Sequence, residues 1–532
     1  MTINLKDINK RWLYVAAILV LFPALYINLG LMTFIDDEAI RALVALEMKL
    51  SGNFIVPSMH GAFYYSKPPL FNWILILFYN ATGVINEWTT RIPTTVALMG
   101  YAYTVYYYFR KHFDTYTAFV NAFVLITCGR ILFWDSMLGL IDITYSWVTF
   151  TAFMVVFHEF KQERFLRLFV FSYLLTAMAF MLKGFPSLLF QGSTLLTWFI
   201  YNEKFKKLFS WQHLLGVAVF ALIVGGYYLV YFNSNQTERV FEGLAQQSTT
   251  RTFIDQGWGK TIEHLFTFPF EMIYHFLPWS LLILHFIRKD VGSQIFKNNF
   301  ISFNLLIFLV NILVYWASPQ VYPRYVLMHG PLLFGVFIYL HQNNKGSWQY
   351  RTVEILFFAF IGVFLAISFL PFFMKNLQAQ PNYLIKTFLV MIPLLITAVL
   401  FYKKPDSRML LLAIFLLIVR VGFNWFVLPE RNAGGRGAIV RSTSVEVGKL
   451  YKDKPLYIYK NTRMQPANSF YLTVTKGEII PFCNDTLPEG AHFILDPSRN
   501  EDLDYEKKGQ IFMRHLGQRY FDVGVFSSNQ GQ

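Results

Sequence analysis

Residues 12–34 read WLYVAAILVLFPALYINLGLMTF, an apolar run without a single charge, and Ile35-Asp36-Asp37-Glu38 follows it at once. A membrane-spanning helix needs about 20 apolar residues, so this run can cross a bilayer and deliver three carboxyl groups to its surface. Its apolar core is longer than the roughly 7–15 residues of a cleavable leader, and no small-residue cleavage site follows. With Lys6, Lys10 and Arg11 ahead of it, the run reads as a retained anchor that starts in the cytoplasm.

Runs of the same kind recur along the chain. After the first, the expected spans are 92–109, 115–132, 143–160, 165–182, 185–201, 211–232, 264–287, 300–317, 325–340, 353–374, 383–402 and 409–428, thirteen in all. With 55% hydrophobic, 19% aromatic and only 15% charged residues, the 532-residue chain is too apolar for an ordinary soluble protein. Such long apolar runs also exclude a transmembrane barrel, whose strands alternate. The expected class is therefore an all-α polytopic membrane protein.

A formal charge of +14 would suit nucleic acid, but its placement argues against that partner. Lys and Arg gather in alternate connections: Arg110-Lys111, Lys161 with Arg164 and Arg167, Lys204 to Lys207, Arg288-Lys289, Lys345 with Arg351, and Lys403-Lys404 with Arg408. This is the asymmetry that keeps basic loops in the cytoplasm. It places the 35–91 loop, the 233–263 loop and everything after Leu428 outside. Cys128 and Cys483 lie in unlike surroundings, so no disulfide framework is expected.

Within the 35–91 loop, Ile40, Leu43, Val44 and Met48 fall at helical spacing. Residues 69–83 (PLFNWILILFYNATG) are apolar but short for a span, and read as a helix lying in the interface. The organisation expected is a membrane domain over 1–428, a glycine-rich linker over 429–437 (PERNAGGRG), and a small external α/β domain over 438–532. Strands are predicted at 456–459, 478–482, 492–495 and 520–525, with helices at 442–450 and 465–471.

The loop holds the best candidates for chemistry. A carboxylate where a helix leaves the membrane is held firmly yet can meet lipid-borne and water-borne groups, as a general base must. Lys67, in the proline-stiffened Tyr64-Tyr65-Ser66-Lys67-Pro68-Pro69, offers an ammonium at headgroup depth, suited to phosphate. Each has a plainer reading. Acidic residues also cap helices, and Asp36 reads as cap or solvated neighbour. Paired carboxylates also hold Mg²⁺ or Mn²⁺.

Asp37-Glu38, Glu47-Met48, the segment Ser51 to Pro57, Tyr65-Ser66-Lys67-Pro68-Pro69-Leu70 and Trp73 resemble the first external loop of the ArnT-like glycosyltransferases. These are GT-C fold relatives of the protein O-mannosyltransferases. Asp142, Lys183-Gly184-Phe185-Pro186 and Pro323-Arg324-Tyr325 fit the same pattern further on. The resemblance implies thirteen spans, a periplasmic C-terminal domain and a bacterial inner-membrane location. It implies a polyprenyl-phosphate sugar donor and transfer with inversion, without nucleotide sugar, cofactor or metal. Acceptors are lipid A or lipopolysaccharide, another surface glycan, or protein. Carried over by position, Asp37 is the general base and Asp142 a second carboxylate at the site, while Lys67, Glu38, Arg41, Lys183, Arg324 and Tyr325 contact substrate. Two positions depart from the aminoarabinose type: Ile40 stands where an arginine is usual, and Ser66 where an acidic residue is.

Plainer roles are open to several of these. Asp142 could cap a helix, with Asp135 as its rival, and Lys183 and Arg324 could reach for lipid headgroups. Arg420, inside the last span, is a buried charge that calls for a partner. Protein O-glycosylation is the nearest alternative activity. A lipid or solute transporter is the alternative from another class, although internal repeats, usual in transporters, are not evident.

Overall fold

A computed structural model describes residues 10–35, 37–235, 240–243, 257–460, 462–483 and 490–526. Asp36 and most of the 233–263 loop lie outside the described residues. Among these residues, seven helices are long and apolar enough to cross a membrane, and Thr115–Thr127 with Gly129–Met137, bent by 47°, would make an eighth. Every other expected span is helical but shorter, more polar or divided.

The divisions have local causes. Residues 264–287 form an amphipathic helix, Trp258–His275, and then a 3-10 stretch, Trp279–Ile287, rather than one span. Pro278 removes a backbone donor and disfavours helix at the residue before it. Residues 325–340 likewise divide into a 3-10 stretch, Pro323–His329, and the helix Gly330–Asn343, which has Pro331 in its first turn.

A hydrogen bond and two ion pairs tie the basic connections together at one end of the bundle. Lys111 bonds His158 at 3.2 Å, Lys204 bonds Glu163 at 2.5 Å and Lys345 bonds Asp406 at 3.0 Å. In each pair both partners come from connections, or helix ends beside them, that the charge pattern puts on one side. The loop and the C-terminal residues meet at the other end, where His60 bonds Ser469.

The loop forms two helices, Glu38–Ser51 and Leu70–Thr82, each closed by a left-handed glycine, Gly52 and Gly83. A two-stranded hairpin, β1 (Ser58–Met59) and β2 (Ala62–Phe63), lies between them. Buried Glu47 pins its turn by accepting from the amides of His60 at 2.6 Å and Gly61 at 3.1 Å.

Past the last span the chain does not become an extended linker. Leu428–Ala433 continues as helix and Gly437 opens the next one, Gly437–Leu450, leaving a break of three residues. The tail then builds a five-stranded sheet from β3 (Leu456–Tyr459), β4 (Phe482–Cys483), β5 (His492–Leu495), β6 (Tyr505–Met513) and β7 (Arg519–Phe526), in the order β4-β3-β5-β7-β6. Leu456, Ile458, Ile494 and Val523 fill its core with Leu472 of the helix Pro466–Lys476. That helix turns its Ala467, Phe470 and Tyr471 toward Phe34, at the end of the first apolar run, and toward Ala42 and Leu46 of the loop.

Candidate active site

Residues far apart in sequence meet where the first helix ends. Asp37 stands at the N-terminal end of Glu38–Ser51, a position that fixes its backbone while leaving its side chain outside the helix; that side chain is 53% exposed. Nη2 of Arg324 donates to its Oδ2 at 3.1 Å. Arg324 itself is 3% exposed, held in the 3-10 stretch that the prolines around it impose. Its Nε lies 3.6 Å from Oδ2 of Asp142, a buried carboxylate in the first turn of Ile141–Lys161.

Asp142 has a second cation. Lys183, the last residue of Phe165–Lys183, donates from Nζ to its Oδ1 at 2.5 Å, and the ammonium lies over the rings of Tyr145 (4.8 Å) and Tyr325 (4.4 Å). Arg324 packs over Tyr322 at 4.4 Å. Ring faces attract cations, more strongly where water is scarce. Lys67, in its turn before Leu70–Thr82, is near enough to Asp142 to act on its charge. The exposed carboxylate of Asp37 therefore meets Arg324, which with Lys183 flanks the buried carboxylate of Asp142. This arrangement can take a proton from a hydroxyl and hold a phosphate beside it.

The sequence placed Asp37, Asp142, Lys67, Lys183, Arg324 and Tyr325 at the site; contacts in the structure join Asp37, Asp142, Lys183, Arg324 and Tyr325, and Lys67 acts on Asp142 through its charge. Glu38 is a correction. Expected at substrate, it is fully buried: it accepts from Arg91 at 2.6 and 3.0 Å, from the amide of Ile35 at 2.6 Å and from that of Gly139 at 2.9 Å. With both oxygens engaged, it has no face left for substrate. Arg91 goes on to the carbonyls of Leu29, Met32 and Thr33, so the pair sews the exit of the first helix to the next membrane helix.

Arg41, one helical turn past Asp37, is buried beneath Tyr64, to whose hydroxyl it donates. Its Nη1 has no hydrogen-bond partner among the described residues. Asp135 is occupied elsewhere, by Arg130 at 2.9 and 3.1 Å. Arg420 donates to the carbonyl of Leu132. Tyr145 and Tyr322, which cradle the cations, carried no sequence signal beyond aromatic content. Among the described residues no group of three or more His, Cys, Asp or Glu side chains is placed to hold a metal ion.

A family model described as dolichyl-phosphate-mannose-protein mannosyltransferase matches residues 66–228. An undecaprenyl phosphate-alpha-4-amino-4-deoxy-L-arabinose arabinosyl transferase of Shewanella sediminis is 22% identical over 471 residues, 83% of this chain and 82% of the relative. Crystal structures of ArnT from Cupriavidus metallidurans superpose on nearly the whole length. The undecaprenyl phosphate complex gives a TM-score of 0.72 at 16% identity, covering 97% of this chain and 98% of that one; the apo state gives 0.68 at 17% identity, covering 97% of each. The chain has the GT-C fold of ArnT, and its sequence is similar to glycosyltransferases of that kind. The mannosyltransferase match takes in Lys67, Asp142 and Lys183, while Asp37 lies before it and Arg324 beyond it.

Proposed function

We propose that this chain transfers a sugar from an undecaprenyl-phosphate carrier to a hydroxyl or phosphate of lipid A, lipopolysaccharide or another surface glycan, with inversion and with Asp37 as general base. The observation that carries the reading is Arg324 set between an exposed and a buried carboxylate, with Lys183 beside it. The acceptor O–H gives its proton to Asp37 as its oxygen attacks the anomeric carbon. The bond from that carbon to the carrier phosphate breaks on the opposite face, and its electron pair leaves with the phosphate. Arg324, Lys183 and Lys67 balance the charge that develops there, and the unpaired Nη1 of Arg41 offers a further donor. Asp142 keeps the cations in register.

An apolar cavity of about 340 Å³ is lined by Val326, Phe276, Phe308, Ile312, Leu333 and Phe334 among others. Val326 is two residues past Arg324 on the same 3-10 stretch. A carrier whose phosphate rests on Arg324 would find in the cavity a largely apolar wall for isoprene units. The charge pattern supports placing the site and the sheet domain on the external side, and the similarity to bacterial transferases supports an inner-membrane location with that side periplasmic. No metal or nucleotide is needed, because a lipid phosphate is already a workable leaving group.

Protein O-glycosylation is the second reading, favoured by the mannosyltransferase match over 66–228. Mass spectrometry of lipid A, surface glycans and surface proteins from cells with and without the chain separates the two. A sugar missing from lipid A or a glycan supports the first reading. One missing from protein alone supports the second, and identical profiles in all three fractions would remove both.

A further inference from the structure

The short segment that carries Asp37 is gripped from two sides. On the membrane side Arg91 binds the carbonyls of Met32 and Thr33. On the other side stands the C-terminal domain. The Tyr471 hydroxyl accepts from the amide of Phe34 at 3.4 Å and donates to Oε1 of Glu87 at 2.5 Å, and Arg441 pairs with the same Glu87 oxygen. Phe34 sets its ring edge-on to Phe470 at 4.7 Å. Gly437 approaches so closely that a Cβ there would stand 1.9 Å from Oγ1 of Thr33. Thr33, Glu87 and Tyr471 are all buried.

None of these groups is a hydrogen-bond or ion-pair partner of Asp37 among the described residues, yet all of them fix the backbone just ahead of it. The cations on the other side are carried differently: Lys183 and Arg324 belong to membrane segments that do not depend on this contact. We propose that the C-terminal domain is a working part of the catalytic site, with Tyr471 and Gly437 as positioning residues that set the Thr33–Phe34 backbone and hence the Asp37 carboxylate. The inference rests on the reading of Asp37 as base. A misplacement of about 1 Å can lower a rate by around 10²-fold. Loosening this grip should therefore slow transfer while leaving donor binding intact.

Tyr471→Phe tests it, because the ring and its packing remain and only the hydroxyl goes. In the full-length protein in nanodiscs, kcat should fall about tenfold, while the Kd for undecaprenyl phosphate and the unfolding midpoint stay near their original values. Placed on Asp37→Asn, the same change should leave the residual turnover where it was, since a base that is gone cannot be mispositioned. Gly437→Ala should also lower kcat, and Thr33→Ala in the same chain should restore it by removing the clashing hydroxyl. A folded Tyr471→Phe enzyme with unchanged kcat would overturn the proposal, as would an equal loss in the Asp37→Asn background. Full turnover by Asp37→Asn alone is a separate result: it removes the base on which this inference stands.

Discussion

Arg324 and Asp37 meet at 3.1 Å across 287 positions of sequence, and the same guanidinium presents its Nε to Asp142 at 3.6 Å. A planar fork of donors can face two carboxylates at once, which a lysine ammonium on a flexible stem does poorly. Arg324 thus links the exposed carboxylate to the buried cation cluster. Replacing it with alanine should lower kcat by about 10²–10³-fold, the usual loss for a donor aimed at developing charge, and should also weaken donor binding. Arg324→Lys should recover only part of either quantity. Turnover assays with titrations of undecaprenyl phosphate measure both, and full recovery by lysine would contradict the two-sided role.

Asp37→Asn keeps the shape and removes the basicity. Loss of a general base costs about 10²–10⁴-fold in rate, with donor affinity close to that of the original protein, because the cations keep their own scaffold. A carrier that only moved lipid across the bilayer would tolerate the change. Parallel assays of sugar transfer and of undecaprenyl phosphate binding decide between these outcomes.

The neighbouring residue should behave in the opposite way. Glu38 and Arg91 form a buried pair that also satisfies backbone groups, and removing one partner of such a pair costs roughly 3–5 kcal/mol. Glu38→Ala should lower the folded yield and the thermal unfolding midpoint in detergent. The folded fraction would still bind undecaprenyl phosphate. An unchanged midpoint would mean that the pair is not the clasp described above.

Adjacent acids with such different work show where sequence stops being informative. Asp37, Lys67 and Arg324 were legible because their motifs sit in loops at the ends of apolar runs, where few structural demands explain a charge. The loop helix from Glu38 was legible from the spacing of Ile40, Leu43, Val44 and Met48. Glu38 was misread because its partner, Arg91, lies 53 positions away and nothing local announces it. Strand β6 was missed for another reason: Glu506, Lys507 and Lys508 break the apolar alternation on an edge strand that leaves them exposed. The divided spans at Pro278 and Pro331 contain enough apolar residues to pass as single helices, and only the packed structure shows which prolines end a helix.

Acid should loosen the contact between the loop and the C-terminal domain. His60 is buried there, with its Nε2 2.8 Å from Oγ of Ser469 and its ring edge-on to Phe482, and burial pushes the imidazole down to about 4 from its ordinary 6.5. The folded protein therefore binds fewer protons than the unfolded chain between those values. Stability contributed by the neutral ring is present above pH 6.5 and is lost as pH falls toward 4, by about 3 kcal/mol when complete. Glu47 acts in the opposite sense: burial raises its carboxyl, although the amides of Gly61 and His60 and the Ser58 hydroxyl hold it back. The two effects are separated by comparing the original protein with His60→Gln, which keeps a polar side chain without the titration. Unfolding midpoints measured from pH 7 to pH 4 should converge as the original protein loses its advantage. Curves that stay parallel across that window would show that His60 does not titrate there.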